Sequence, residues 1–351
     1  VRPGPNVPAL AGELTTGHRV DVVRGSRVLA LGLPCSDVVL EATASKVVPE
    51  QLTFSADHQW VPVDPLDALN SFGQRVHVWQ VLDVAGEQTE VDLGWYQLDS
   101  WKEQENGSVA VVAYGLGIRL DEDPMVWPSS PRRGARLLEE AQRLAGDHLP
   151  VILDPGVENV VLDDGLAWGR SRTEALRDLC LSLGLVSRVG VDGYLHLARH
   201  RTDSRVIDAI YTERDLLLAA PRTGKREGRA NRQTVVGSSG SGEDATKFAA
   251  TAELTTSPFD ADYGVVREIT EISGTTSRVG VQAAASRAQS DAAMRATTRS
   301  LEIVADPRIE LGDVIGVKTS TGELVVGRVD GYSLPVSTGG SMRVDLEVLA
   351  W

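Results

Sequence analysis

The chain has 351 residues, more than one compact core holds and enough for two or three domains of ordinary size. Its 42% hydrophobic and 24% charged residues exclude wholesale disorder, and 49 acidic against 35 basic residues, a net charge of -14, oppose broad attraction to nucleic-acid phosphates or anionic membranes. No apolar run reaches the roughly 18 residues of a membrane span, and residues 1–17 hold no apolar signal core, so a soluble protein without an obvious export signal is expected.

From Gly17 to Leu120, short runs rich in Val, Leu, Trp and Tyr alternate with turn-forming residues, the pattern of a sandwich or barrel. Strands are expected at 19–23 and 28–31 around Arg24-Gly25-Ser26-Arg27, then at 38–44, 51–54, 75–82, 90–101 and 108–114. Asn106-Gly107 offers the positive φ angles of a tight hairpin, and an antiparallel meander is the simplest assembly.

The period then changes. After a Pro-rich break at 123–131, residues 132–145 place Leu137, Leu138, Ala141, Leu144 and Ala145 on one helical face. Ser171-Arg172-Thr173-Glu174 is a capping box, in which each end can satisfy an orphan backbone N–H of the other. Behind it Ala175, Leu176, Leu179, Cys180 and Leu183 form a buried stripe, and Gly184 can end the helix in a left-handed conformation. Residues 185–189 and 194–198 read as strands joined across Gly190-Val191-Asp192-Gly193, which completes a small α+β module.

Residues 222–247 mark a boundary. The stretch 222–229 is polar, 233–236 reads as a strand, and Gly237-Ser238-Ser239-Gly240-Ser241-Gly242 is flexible by composition. These glycines are not followed by Lys and Ser/Thr at phosphate-loop spacing, nor by a helix start, so an exposed loop is the better reading. Residues 281–295 are Ala-rich and helix-prone, with Ala284, Ala285, Ala288, Ala292 and Met294 available to lie against a barrel wall. Strands at 299–304, 314–318, 324–329 and 342–349 follow, separated by turns at Asp306-Pro307, Thr321-Gly322 and Thr338-Gly339-Gly340. Mainly β with some α is the expected class, divided into an N-terminal β domain at 1–123, an α+β middle at 124–221 and a C-terminal β domain at 222–351.

No catalytic, cofactor or metal set emerges. Asp121, Glu122 and Asp123 are adjacent carboxylates in a polar loop, with nothing to raise the pKa of one of them for glycoside hydrolysis. Of the histidines, His18, His58, His77, His148, His196 and His200, only the last two are close, and their spacing on a strand does not converge two rings on a metal. His148 and Asp154 flank Pro150 without a third ligand. No G-x-S-x-G elbow occurs, and Cys35 and Cys180 read as small buried hydrophobes. Trp79, Trp95 and Trp101 fall in strands and read as core; Trp127, Trp168 and Trp351 sit near breaks, where subunit contacts and ligands are both open, as is carbohydrate stacking for Trp60 and the others.

Leu301-Glu302-Ile303-Val304 followed by Asp306-Pro307-Arg308-Ile309-Glu310-Leu311-Gly312-Asp313-Val314-Ile315 resembles a phrase in the last domain of bacteriophage tail baseplate-hub proteins. The strand from Pro49 to Phe54, the strand from Gly73 to Val78, Gly94-Trp95-Tyr96-Gln97-Leu98 and the helix and hairpin of 172–197 are similar to the same family, in the same order. The resemblance implies a structural, non-enzymatic virion protein of the tail tip, made in the host cytoplasm and needing no cofactor. It implies two β-barrel domains flanking the mixed middle, and a homotrimer whose six barrels adapt a sixfold tail tube or distal tail protein to a threefold tip. Tape-measure and tip or fibre proteins are the further implied partners, and DNA passes through the ring without sequence-specific binding. The acid balance adds one expectation, an acidic lumen that repels phosphate. Two other classes remain open: a host-surface or carbohydrate-binding tail protein, and a tail-associated cell-wall hydrolase.

Overall fold

The computed structural model describes residues 1–350 except 13, 85, 164, 165, 202, 222–229, 240–245, 257, 258, 274–277, 296, 297, 338 and 339. The polar stretch 222–229, Gly240-Ser241-Gly242, Thr338-Gly339 and Trp351 of the sequence reading lie outside the described residues.

A short helix, α1 (Val7–Leu10), leads into seven strands: β1 (Leu14–Arg24), β2 (Arg27–Ala30), β3 (Cys35–Thr43), β4 (Glu50–Ala56), β5 (Gln74–Val84), β6 (Glu87–Glu103) and β7 (Val109–Gly115). Every expected strand of this part is present. Period-2 patterning makes them: on β5 Val76, Val78 and Leu82 turn inward while Arg75, His77 and Trp79 turn outward. The arrangement is not the simple meander expected, because β1 pairs with β5 and β4 with β7, giving the order β3-β4-β7-β6-β5-β1-β2. A long connection at 57–73 allows it, its turns fixed by Asp67 accepting from the backbone N–H of Val63 and Asp64 at 2.7 Å each. In the β6–β7 hairpin only Gly107 takes a positive φ, 82°; Asn106 instead accepts from the Ser108 N–H through its side chain at 3.0 Å.

The middle module contains α2 (Ile118–Glu122), α3 (Leu137–Ala145), β8 (Val151–Leu153), α4 (Arg172–Leu183), β9 (Leu185–Val189) and β10 (Leu195–Arg199). Helix α3 starts five residues later than its apolar spacing extends, since Gly134 at φ 75° turns the chain first. Ser171 caps α4 by accepting from the Glu174 N–H at 3.1 Å, and Gly184 closes it at φ 70°. β8, parallel to β10, completes a three-stranded sheet whose β9–β10 hairpin was legible in sequence. Leu137, Leu144, Trp168, Leu179 and Leu197 centre its core.

After β11 (Ala209–Thr212) and β12 (Leu217–Ala219) comes a satellite: β13 (Arg232–Ser239), β14 (Thr246–Glu253), β15 (Arg267–Ser273) and α5 (Arg278–Arg295). Residues 237–239, expected in a loop, belong to β13. Helix α5, expected against a barrel wall, packs chiefly on β13 and β14, with Val281, Ala284 and Ala285 against Val235, Ala250 and Ala252, and touches β19 (Ser341–Ala350) of the C-terminal sheet to a lesser extent.

The chain closes with β16 (Thr298–Val304), β17 (Val314–Lys318), β18 (Leu324–Pro335) and β19 (Ser341–Ala350). β18 is long enough to serve two partners along one edge. Residues Leu324 to Arg328 pair with β17, and Gly331 to Pro335 pair with β3. Thirteen strands from both ends of the chain therefore share one sheet, running from β12 to β2, over one hydrophobic core that holds Val78, Leu98, Leu40, Leu334, Tyr332 and Val344 together. The class, mainly β with some α, is as expected. The described sheets are open, and none closes into a barrel; each half covers an edge with the other half rather than with its own first strand. The N-terminal half approaches closure where the Leu33 N–H donates to Val20 O at 2.8 Å.

Candidate functional site

The residues that sequence reasoning nominated for chemistry are dispersed into local staples. Asp123 accepts from His148 at 2.8 Å and from Arg172 at 3.3 Å, and the His148 hydrogen bond, foremost, with the Arg172 charge holds its carboxyl below the usual range. Asp121 and Glu122 end α2 nearby, in solvent. His148 and Asp154 do not meet, because Asp154 belongs to His196, whose Nδ1 lies 2.7 Å away. His200 contacts Arg328 of β18, whereas His196 is held by Asp154 and Asp192. Cys180 is buried; Cys35 is only half-buried, with Sγ 3.3 Å from His18 Nε2, but burial pushes both thiols up to about 12 and so disfavours a thiolate. Among the described residues no group of three or more His, Cys, Asp and Glu is arranged to hold a metal. No helix there is long and apolar enough to cross a membrane.

The tryptophans also differ from expectation. Trp79 and Trp95 are half-buried on the outer face of the sheet, because the inward positions of β5 and β6 go to Val76, Val78, Tyr96 and Leu98. They form a ladder in which the Arg19 guanidinium lies 3.8 Å from the Trp79 ring centre, His77 is 3.6 Å from Trp79 and 4.1 Å from Trp95, and Arg75 is 5.6 Å from Trp95. Asp92 orders it by accepting from His77 at 2.8 Å and from the Gly94 N–H at 2.8 Å. Gly94 sits at φ 101° in a β-bulge, the conformation that calls for a glycine, and the tip of the β9–β10 hairpin docks beside it, with Val191 in van der Waals reach. The ladder is thus a joint between sheet and middle module, its ring faces already occupied. Trp101 packs on the main core as expected, and Trp168 is buried, donating to Glu140 at 2.6 Å. Trp127 is 77% exposed.

A second joint runs through the centre. Buried Arg2 donates from Nη1 to Pro307 O at 3.0 Å and Ile309 O at 2.7 Å, and from Nη2 to the Tyr332 hydroxyl at 3.3 Å; its Nε lies 3.6 Å from Glu310. Glu310 faces Arg188 of β9 at 3.9 Å, Arg188 faces Asp154 at 3.4 Å, and His196 lies between Asp154 and Asp192. One chain of charges therefore ties the N-terminal segment, the C-terminal sheet and the middle hairpin. Glu50 of β4 borders it, its carboxyl pushed up to about 7 by burial, against the opposing fields of Arg2 and Arg188. Burial, with the Glu50 charge adding, also holds the Tyr96 hydroxyl well above its ordinary value.

The Asp306–Asp313 phrase noticed in the sequence forms the floor of this joint. Asp306 is fully buried, bound by Arg308 through Nε at 2.9 Å and Nη2 at 2.6 Å and by the Tyr211 hydroxyl at 2.8 Å, while Asp313 accepts from the Glu310 N–H at 2.7 Å. Arg2, Glu50, Arg188 and Tyr211 escaped sequence reasoning. Their partners lie up to 330 residues away, and only the density of charge inside an otherwise apolar phrase hinted at them.

No protein-family model and no curated protein matches the chain. Solved structures do match end to end. A tail protein from Neisseria meningitidis MC58 aligns over 94% of this chain and 96% of its own, with TM-score 0.65 and 14% identity. The 43 kDa tail protein of prophage MuSo2 from Shewanella oneidensis aligns over 93% and 98%, with TM-score 0.60 and 12% identity. A prophage tail protein from Listeria monocytogenes aligns over 93% and 94%, with TM-score 0.52 and 11% identity. The chain has the fold of these phage tail proteins.

Proposed function

We propose that this chain is a structural, non-enzymatic component of a phage-type tail tip, a baseplate hub that assembles as a homotrimeric ring around the ejection channel. The observation that carries the reading is the match over nearly the whole length of both chains to tail proteins, since a shared accessory domain would align over only part of the chain. The internal wiring supports it: titratable clusters fasten one part of the chain to another, as a rigid frame requires. The proposed division is 1–123, 124–221 and 222–351, with β11 and β12 lent by the middle stretch to the C-terminal sheet, and the two β halves are the pseudo-equivalent units that convert a sixfold tail tube or distal tail ring to a threefold tip. Tape-measure, distal tail and tip or fibre proteins are the proposed neighbours, the virion tail tip is the proposed location, and the net charge of -14 favours a lumen that repels DNA in transit.

The deciding experiment is the mass of the purified chain by light scattering across a concentration series, alone and mixed with tail-tube protein. A trimer in either condition supports the hub. A persistent monomer that binds isolated cell wall instead overturns it in favour of host recognition.

A further inference from the structure

We propose that the bulge between Met125 and Ser129 is a docking knob that carries Trp127 into a groove on the C-terminal sheet of a neighbouring copy of this chain, a head-to-tail contact that closes the ring. The inference rests on the trimeric reading above and assigns the surfaces that build it.

The knob is rigid. The Met125 N–H donates to Arg170 O at 2.7 Å, and Ser129 and Trp168 exchange both backbone hydrogen bonds at 3.1 and 2.7 Å, so the loop is pinned at each base. Between the pins Val126 and Trp127 stand 70% and 77% exposed, flanked by Pro124 and Pro128. With the backbone pinned, only the side-chain rotamers of Val126 and Trp127 are left to order on association, which lowers the entropic cost of an aromatic anchor. Its rim carries the exposed Arg170, which reaches Met125 O at 3.2 Å, while Arg143, at 3.0 Å from the Ser129 hydroxyl, is already paired with Glu140 at 2.6 Å. The complement of Arg170 is a surface carboxylate beside an apolar cleft, and in the ring proposed above the neighbouring copy offers one in Glu302.

One groove has the matching character. It lies on the outer face of the C-terminal sheet, about 450 Å³, with Val39, Ala219, Pro221 and Pro335 as apolar walls and Ser300 and Glu302 as acceptors. Arg343, the basic residue of its lining, is turned to Asp345 at 3.3 Å. Two proline rings suit the flat face of an indole, and Glu302 suits the arginine rim. Knob and groove belong to different cores of one chain, the middle module and the main sheet, so between copies the contact is heterologous and repeats until it closes.

The test uses the full chain. With Cys35→Ser as background, the pair Trp127→Cys and Ala219→Cys is expected to give trimer-sized species on mild oxidation, while either cysteine alone stays uncrosslinked. Trp127→Ser, with unchanged circular dichroism, is expected to weaken trimer formation at least tenfold, and Glu302→Arg to do so less. A wild-type trimer that Trp127→Ser leaves intact, with no crosslink, overturns the knob and spares the trimeric reading. Self-crosslinking of Trp127→Cys alone overturns the groove. A Trp127→Ser trimer that no longer joins purified tails assigns the knob to another tail protein and overturns the second-copy assignment. A wild type that is monomeric at every concentration, with and without tail-tube protein, overturns both readings.

Discussion

The main sheet and the satellite are built by the same strand grammar and filled with different material. Inward positions of the main sheet carry Val78, Leu40, Leu98, Tyr332, Leu334 and Val344, all essentially inaccessible to water. The satellite sheet and α5 meet through Val235, Ala250, Ala252, Ile272, Val281, Ala284 and Ala285, and leave Val265 and Ile269 more than 60% exposed. Burial stabilises by about 25 cal/mol per Å² of apolar surface, so an alanine interface contributes a fraction of what a leucine interface does. The main sheet should unfold as one body, while the satellite holds a separate, shallower free-energy minimum.

The sharpest way to break this comparison is Leu334→Ala, on the stretch of β18 that pairs with β3. Removing a fully buried leucine costs about 2–5 kcal/mol, and because the residue sits where the two halves of the sheet join, N- and C-terminal probes should lose stability together. Urea unfolding followed by hydrogen exchange at β5 and β19 checks it; a shift confined to the C-terminal strands would mean the halves are independent. Next comes the buried charge of the central joint. Glu50 titrates at about 7 in the folded chain against an ordinary 4.5, so its contribution is full below the lower value and lost as pH rises through the upper one. Glu50→Gln should therefore be more stable than wild type by roughly 2 kcal/mol at pH 8, with the gap closing toward pH 5 in paired thermal melts. Gly94→Ala should cost about 1–2 kcal/mol from its positive φ; its Cβ would make only van der Waals contact with Val191, so the strain should appear as faster exchange around the bulge in β5 and β6 and not in β9 and β10.

Legibility in the sequence followed the same division. Where large apolar residues alternate, as in β5, β6 and β19, the strands were evident. Where alternation runs through Thr, Ala, Lys and Glu, as in β14 and β15, or where a strand of three or four residues has no hairpin turn beside it to announce it, as β2 has and β8, β11 and β12 have not, it was not. The Ala-rich composition of α5 revealed a helix but not its partner, since shallow faces fit many surfaces. Trp79 and Trp95 were misplaced because β-propensity is shared by both faces of a sheet, and nothing local showed that Arg19 and His77 would cover them. The charge chain from Arg2 to Asp192 is a product of tertiary structure alone, although the phrase that floors it was visible.

The smallest expected effect tests the satellite from inside. Val235 is 1% exposed and faces Ala285 and Ala250 across the α5 interface, so Val235→Ala removes two methyl groups from a site with few others. At about 0.8 kcal/mol per buried carbon, the local loss is about 1.5 kcal/mol, a large share of what an alanine-lined interface holds. If the satellite opens by itself, amides of β13 and β14 should exchange about tenfold faster, whereas the urea midpoint of the main sheet stays where it was. Two attachments work against full independence: α5 touches β19 of the main sheet, and Arg287 of α5 donates to the Leu181 carbonyl at the end of α4, so opening the satellite also exposes the last turn of that helix. Exchange at Leu183 and Gly184 should therefore rise along with β13. A main-sheet midpoint that falls with Val235→Ala would instead make satellite and sheet one cooperative unit, with the alanine core adding stability to the whole.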